Sequence, residues 1–341
     1  MNCTTDNFGP LLTKYMKSAG LSDEALARQM KVANMTIYNW RTGKIRHPSR
    51  KNVLKCADAL KLTAQQRTEF FIAAGLEPEV PPPPAIPVVG VPIIEPYQFF
   101  GREQLLKRIY WAWHKRVPQH VVIIGPKRSG KTSFLNYLQN ITSTTYLRPE
   151  QPQGWPQDWL PLYFNWVMVD FQEAHMSRPE RLMKHILHQS HLEVPSTCDI
   201  ATFSSLIKEK MNKPAIILMD DIKKGLEAPT LDQEFWWNLR SLGSHGKLGF
   251  VITTTQSPAQ LARELGKPSP FFNIFGDTLE LEAFTKPEAL ELLSYSPQPF
   301  SAQESAKLLE ESNCWPEPLQ KLCDARLQEM LLESPVEVTS I

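Results

Sequence analysis

A chain of 341 residues exceeds the usual size of a single domain, so two folded units plus connections are expected. Hydrophobic residues at 42% and charged residues at 21% are ordinary globular values, and no apolar run approaches the ~18 residues of a membrane helix, so a soluble protein is expected. The net charge of +1 hides an asymmetry: residues 1–76 carry 12 Lys/Arg against 5 Asp/Glu, and the remainder carries 25 against 31. A basic first part joined to a mildly acidic body points to nucleic acid as a partner of the first part only.

The N-terminus MNCTTDNFGP has no basic start followed by an apolar segment, so no secretory signal is expected and the cytoplasm is the default location. Five cysteines (Cys3, Cys56, Cys198, Cys314, Cys323) are scattered, odd in number and form no C-x-x-C pair, so neither a disulfide framework nor a zinc site is suggested and reduced thiols are expected.

In residues 1–76 apolar side chains recur at helical spacing over roughly 8–18, 22–30, 34–42, 49–60 and 64–74, which predicts an all-α module. Within it SDEALARQMKVANMTIYNWRTGKIRHPS reads as helix, tight turn, helix. Leu26, Met30, Val32, Ile37 and Trp40 are spaced to share a small core, while Asn34, Met35, Thr36, Asn39 and Arg41 face elsewhere.

Residues 77–97 follow as a linker. Four prolines in succession, Pro81 to Pro84, lack amide donors and favour an extended polyproline II spacer. The later, apolar half (Ile86, Val88, Val89, Ile93, Ile94) either continues that spacer or lies against the second domain.

After the linker, VVIIG, PLYFNWVMVDF, AIILMDD and LGFVITTT are short β-rich runs separated by helical stretches, the pattern of a parallel α/β sheet. GPKRSGKT, from Gly125 to Thr132, follows the first run and precedes a helical segment, and it matches the P-loop pattern at every fixed position. Gly125 and Gly130 let successive N–H groups of the loop converge on phosphate oxygens at a helix N-terminus. Pro126, Lys127, Arg128 and Ser129 complete the loop, and Ser133 opens the helix. Lys131 is expected to reach the β- and γ-phosphates, and Thr132 to offer its hydroxyl to Mg2+. AIILMDD fits a strand buried on both faces. Asp220 would emerge beside the metal, and Asp221 would orient the attacking water or simply cap a helix. In LGFVITTT, Thr254 is chosen as a γ-phosphate sensor, although threonine also suits strands by propensity.

These residues, with FFGREQLLKRI before them, resemble the AAA+/STAND group of P-loop ATPases, particularly its short AAA-like and archaeal-ATPase members, over roughly residues 95–330. The resemblance implies an α/β P-loop core over 98–282, a parallel sheet flanked by helices, and a small helical lid with a C-terminal tail over 283–341. ATP with Mg2+ is the implied ligand, and hydrolysis the implied activity. The family's element beside the base maps onto Phe100, Gly101 and Arg102. Its Gly-x-Pro element maps onto Pro316, with Cys314 where glycine is expected. Ala283 stands where the step into the lid usually has proline. Such ATPases often assemble side by side, and Arg240 in FWWNLRSLG is placed either as an arginine offered to a neighbouring subunit or as an exposed helix residue.

The basic module is similar to the Cro/repressor-type helix-turn-helix over about residues 8–76. The similarity implies that Asn34, Met35, Thr36, Asn39 and Arg41 meet the major groove of double-stranded DNA. Lys44, Arg46, Arg50 and Lys51 would lie near phosphates. The leading expectation is a nucleotide-controlled oligomeric switch on DNA, in regulation or defence against mobile elements. A transposition-type ATPase that recruits a recombinase and a non-hydrolysing adaptor are the alternatives. His175, His185, His188 and His191 are read as a solvated helix face, not a metal site. Trp111, Trp113, Trp155, Trp159, Trp166, Trp236 and Trp237 are read as core or subunit contacts.

Overall fold

The computed structural model describes residues 8–45, 48–60, 62, 64–76, 85–113, 117–141, 148 and 164–333. Contacts divide the chain after Pro83 into two units. No helix among the described residues is long and apolar enough to cross a membrane.

The first unit holds five helices: α1 (Phe8–Ala19), α2 (Asp23–Met30), α3 (Asn34–Arg41), α4 (Arg50–Ala59) and α5 (Ala64–Ala73). The Ser22 hydroxyl accepts the Ala25 amide at 3.2 Å and starts α2, and Lys31 ends it in the left-handed conformation at φ 54°. The turn that follows lets α3 begin at Asn34 and cross both α2 and α1. At Gly9 a Cβ would lie 2.6 Å from the Arg41 carbonyl oxygen, so the approach of α1 to the end of α3 requires glycine. Leu26, Met30, Ile37 and Trp40 are buried in one core with Phe8, Leu12 and Phe70, and Val32 is partly buried against it.

The second unit is built on five parallel strands: β1 (Val121–Ile124), β2 (Asn165–Asp170), β3 (Ala215–Asp220), β4 (Leu248–Thr254) and β5 (Asp277–Glu280), in the spatial order β2-β3-β4-β1-β5. All residues of β3 and β4 are buried, as expected for central strands covered by helices on both faces. β5 escapes the apolar-run criterion because only Leu279 of its four residues is buried. Helices α6 (Glu103–Trp113) and α7 (Lys131–Asn140) cover one face, through Ile109, Trp113, Phe134 and Leu138. Helices α8 (Pro179–Gln189), α9 (Ile200–Lys210), α10 (Ile222–Glu227), α11 (Gln233–Gly243) and α12 (Pro258–Glu264) cover the other, around Ile186, Phe203, Trp236 and Phe271. β1 lies between β4 and β5, so connections leave it in both directions and open a crevice at its carboxyl end.

Three further helices, α13 (Lys286–Ser294), α14 (Ala302–Ser312) and α15 (Pro316–Glu333), share a separate core. Thr285 with Glu288, and Ser301 with Glu304, form reciprocal capping boxes that fix where α13 and α14 begin. Ala85 and Ile86, from the segment after the proline run, are buried in this same core beside Tyr97 and Phe100. Of the singled-out tryptophans, Trp113 and Trp236 are fully buried, Trp166 is partly buried, and Trp111 and Trp237 are exposed. Trp155 and Trp159 lie outside the described residues. Among the described residues no group of three or more His, Cys, Asp or Glu could hold a metal ion, and the His185 ring bonds the Met168 carbonyl at 2.7 Å.

Candidate functional site

The P-loop runs from the end of β1 to the start of α7. Gly125 donates its amide to the Thr254 carbonyl on the neighbouring strand at 3.2 Å, which fixes where the loop departs. A Cβ on Gly125 would fall 2.5 Å from the Ser129 hydroxyl, so the loop closes on itself only with glycine there. Gly130, the N-cap of α7, has φ 94°, which turns the backbone so that the helix N-terminus faces the crevice. Pro126, Lys127 and Arg128 are exposed, and Arg128 is left-handed at φ 66°. Ser129 is buried, and its hydroxyl has no partner among the described residues.

Lys131 donates to the carbonyls of Gly125 and Pro126 at 2.8 and 2.7 Å. Burial lowers its pKa, while Asp220 and Asp221 act in the opposite sense. The ammonium is therefore drawn back onto its own loop and held close to two carboxylates. Thr132 donates its hydroxyl to Asp220 Oδ2 at 2.6 Å, joining the P-loop helix to the end of β3. Asp220 Oδ1 accepts from Thr253 at 2.5 Å, and the Thr253 hydroxyl accepts from the Asp221 amide at 2.9 Å. Asp221, left-handed at φ 51°, is the N-cap of α10, with no capping bond from its side chain. Burial raises its pKa, and Asp220 raises it further.

Thr254, chosen from the sequence as the sensor, instead donates to the Gln256 carbonyl at 3.0 Å and is buried. The hydroxyl that meets Asp220 belongs to Thr253, one residue earlier on β4 and therefore on the opposite face of the strand. Arg240 is exposed on α11, and its side chain has no hydrogen bond or ion pair among the described residues.

Two contributors were not read from the sequence. Asp170 ends β2 in register with Asp220, and burial raises its carboxyl pKa, partly offset by the Gln172 amide it accepts at 2.8 Å. The run VMVD carries the same signal as ILMD, an apolar strand ending in aspartate. Gln320 on α15 is 4% exposed and lines the same crevice as the P-loop. It lay in a helix with no motif to mark it.

The crevice is a cavity of about 350 Å³ bordered by Gly130, Lys131, Thr132, Ser133 and Pro316, within the usual range for a small-molecule site. A smaller, mostly apolar recess continues from it past Ser129 to Phe100, Arg102 and Phe284. Gly101, at φ 65°, and Arg102, at φ 67°, both turn left-handed there. Arg102 donates its amide to Glu288 Oε1 at 2.6 Å and lays its guanidinium over the Phe284 ring. Its Nη2 is buried without a partner among the described residues, and burial lowers its pKa against the pull of Glu288. Cys314 sits at φ 57°, the conformation that favours glycine, which is the residue expected there, and its carbonyl accepts the Phe284 amide at 2.9 Å.

The donor set fits a triphosphate with Mg2+. A hydroxyl and a carboxylate at one point are hard oxygen ligands suited to magnesium. Beside them stand an ammonium group and a helix N-terminus suited to phosphate.

In the first unit Asn34, Met35 and Arg41 are exposed, and Thr36 and Asn39 are partly buried. Arg41 is held by Asp23 at 2.5 Å. Lys44 lies over the Tyr38 ring, Arg50 lies over Phe71, and Lys51 is exposed. Arg46 lies outside the described residues.

Residues 12–66 match the helix-turn-helix family model. No curated protein matches the chain. Among solved structures it is similar to the Aeropyrum pernix ORC2 protein in ADPNP-ADP complexes, at 16% identity and TM-score 0.50, over 68% of this chain and 62% of that one. It is also similar to the Walker-type ATPase of Pyrococcus abyssi, at 16% identity and TM-score 0.46, over 72% and 79%. A third is a variant of Thermotoga maritima RuvB, at 16% identity and TM-score 0.42, over 70% and 66%. The chain spans about 62% of the length of the ORC2 structure. The chain thus joins a helix-turn-helix module to a second unit that carries a P-loop on a parallel α/β sheet and shares the fold of the ORC2 structure.

Proposed function

We propose that the protein is a DNA-binding ATPase in which ATP, held with Mg2+ at the P-loop, promotes self-association of the second unit. Association gathers helix-turn-helix modules on double-stranded DNA, and hydrolysis releases them. Control of gene expression or defence against mobile elements suits such a switch. The observation that carries the reading is the Thr132–Asp220 bond at 2.6 Å, which sets a hydroxyl and a carboxylate beside Lys131 at the mouth of the P-loop.

Within the reading, the amides at the start of α7 and Lys131 bind the phosphates, Lys131 exchanging its loop carbonyls for phosphate oxygens. Thr132 and Asp220 would hold the magnesium, which when bound neutralises charge on the β- and γ-phosphates. Asp221, whose pKa is raised by burial and by Asp220, would orient or activate the attacking water. Thr253 positions Asp220 and Asp221 together. One helix-turn-helix binds weakly, and two brought together by the second unit bind a repeated site far more tightly.

The test is titration calorimetry with magnesium ATP on the wild-type chain and Lys131→Ala, alongside light scattering and DNA anisotropy with and without nucleotide. Uptake of ATP that Lys131→Ala abolishes, with larger particles and tighter DNA binding in ATP, supports the reading. No uptake by well-folded wild-type protein removes it, and identical DNA affinity with and without ATP removes the switch.

A further inference from the structure

The segment 85–94 carries no charged side chain, and two of its residues are buried in the core of the helical lid. After Ile86, both Val88 and Ile93 are partly buried, Ile93 against the core under the P-loop helix, while Val91 is 66% and Ile94 58% exposed and Gly90 sits at φ 80°. Its polar backbone is nevertheless held from two sides. The Val88 amide donates to Gln320 Oε1 of α15 at 2.9 Å. The Ile93 amide donates to the Ser133 hydroxyl at 3.0 Å, and the carbonyls of Ile93 and Ile94 accept from the side-chain amides of Asn136 and Asn140 at 2.9 and 3.0 Å.

Ser133, Asn136 and Asn140 follow helical spacing along one face of α7, the helix that begins with Lys131 and Thr132. The segment is therefore a strap between the P-loop helix and the last helix. Between its anchors Val88, Gly90, Val91, Pro92 and Ile93 form a wall of the same cavity that Lys131, Thr132 and Pro316 border. No backbone–backbone hydrogen bond among the described residues ties the strap into a sheet or helix, so side-chain amides and one hydroxyl hold it. Such anchors let it shift as a piece when a ligand fills the cavity.

We propose that residues 88–93 are the nucleoside wall of the P-loop site, and that their closure on a bound nucleoside is the step that carries nucleotide occupancy into the chain leading to the helix-turn-helix. The inference rests on the ATP-binding reading. An apolar wall without a basic side chain suits a sugar and an uncharged base, whereas the cationic and N–H groups suited to phosphate lie across the cavity on the P-loop. The strap is also continuous in sequence with the proline run that leads to the first unit, so a change in its tension acts on that linker.

The test is hydrogen exchange of the full chain with magnesium and either ATP or inorganic triphosphate. ATP should slow exchange of the Val88 to Ile93 amides by about tenfold or more, equivalent to 1.4 kcal/mol, while triphosphate slows only the P-loop peptide. Equal protection of the strap by triphosphate overturns the proposal, as does P-loop protection by ATP that leaves the strap unchanged. If ATP protects neither region, the ATP reading fails and the strap falls with it. As a second arm, Gln320→Ala and Asn136→Ala should each weaken ATP about fivefold or more and leave triphosphate affinity alone. ATP affinity equal to wild type in both overturns the nucleoside wall.

Discussion

Replacing Thr253 by valine removes one hydroxyl, keeps the side-chain shape, and tests the geometry at the end of β3. That hydroxyl donates to the Asp220 carboxylate at 2.5 Å and accepts the Asp221 amide at 2.9 Å, at a position with 0% exposure. A hydrogen bond to a charged group contributes about 1.5–3 kcal/mol, and a buried amide left without a partner costs roughly 1–3 kcal/mol. The two losses share one atom and do not simply add, so about 3 kcal/mol is expected for Thr253→Val. Thr254→Val loses two neutral contacts with Gln256, a bond to its carbonyl at 3.0 Å and a long one from its amide at 3.4 Å, with no charged partner, and should cost about 1–1.5 kcal/mol. Urea unfolding followed by tryptophan fluorescence reports the second unit, because eight of the nine tryptophans follow residue 84. With a slope near 3 kcal/mol per molar urea, the Thr253→Val midpoint falls by about 1 M. ATP turnover should fall about a hundredfold in Thr253→Val, because Asp220 and Asp221 lose their shared anchor, and much less in Thr254→Val. If Thr254→Val is the more damaging in both assays, the assignment of Thr253 is wrong.

Asp221→Asn should slow single-turnover hydrolysis about a hundredfold while ATP stays bound, and an unchanged rate would remove Asp221 from the chemistry. Asp170→Asn should slow it less, because Asp170 borders the carboxylates from β2 without sharing their hydrogen bonds; a loss equal to that of Asp221→Asn would reverse the two roles. The His120 ring accepts the Phe250 amide at 3.2 Å, and burial pushes its pKa down to about 4. The folded state then binds fewer protons than the unfolded state, so this contribution is complete above about pH 6.5 and is lost as the pH falls toward 4, by roughly 3 kcal/mol. His120→Gln should flatten that fall in the urea midpoint, and an identical pH dependence in the variant would refute the account. Lys44→Ala combined with Arg46→Ala should weaken DNA binding and reduce the slope of log K against log salt by about 2; an unchanged slope would show that these side chains do not neutralise phosphates.

The parts legible in the sequence were those whose physics is local. Gly125 to Thr132 announce a loop because glycine, lysine and threonine are needed at fixed spacing, and β3 announces itself because both its faces are apolar. The helix-turn-helix was legible from the 3.6-residue period around Leu26, Met30, Ile37 and Trp40. The pairing of Thr253 with Asp220 was not, because it depends on the register of β4 against β3, and a shift of one residue exchanges Thr253 for Thr254. Asp170 was hidden for a related reason: only the strand order sets β2 beside β3. The strap could be given two readings from composition, since an apolar proline-containing segment serves equally as a spacer or as a strip lying against the second domain. What decides between them is its bonding to Ser133, Asn136, Asn140 and Gln320, four residues distant in sequence.

Charge at the crevice sets one more expectation. Asp170 and Asp220 end neighbouring strands in register, and Asp221 follows, opposed by Lys131 at the P-loop and by Lys224 beside Asp221. Burial raises the pKa of both Asp170 and Asp221, and the proximity of Asp220 adds to each, so the carboxylates already repel one another. A triphosphate brings several more negative charges into the same space, where each close like-charge pair costs on the order of 4 kcal/mol at an effective dielectric near 20. Lys131 and the helix N-terminus offset part of this, and a divalent cation between Asp220 and the phosphates turns the largest repulsion into attraction. ATP affinity should therefore fall more than about tenfold when EDTA replaces magnesium, and Asp220→Asn, with one negative charge fewer, should lose less than the wild type. Equal affinity in EDTA and magnesium would mean that phosphate is held away from the carboxylates, and Asp220 would then have no part in binding it.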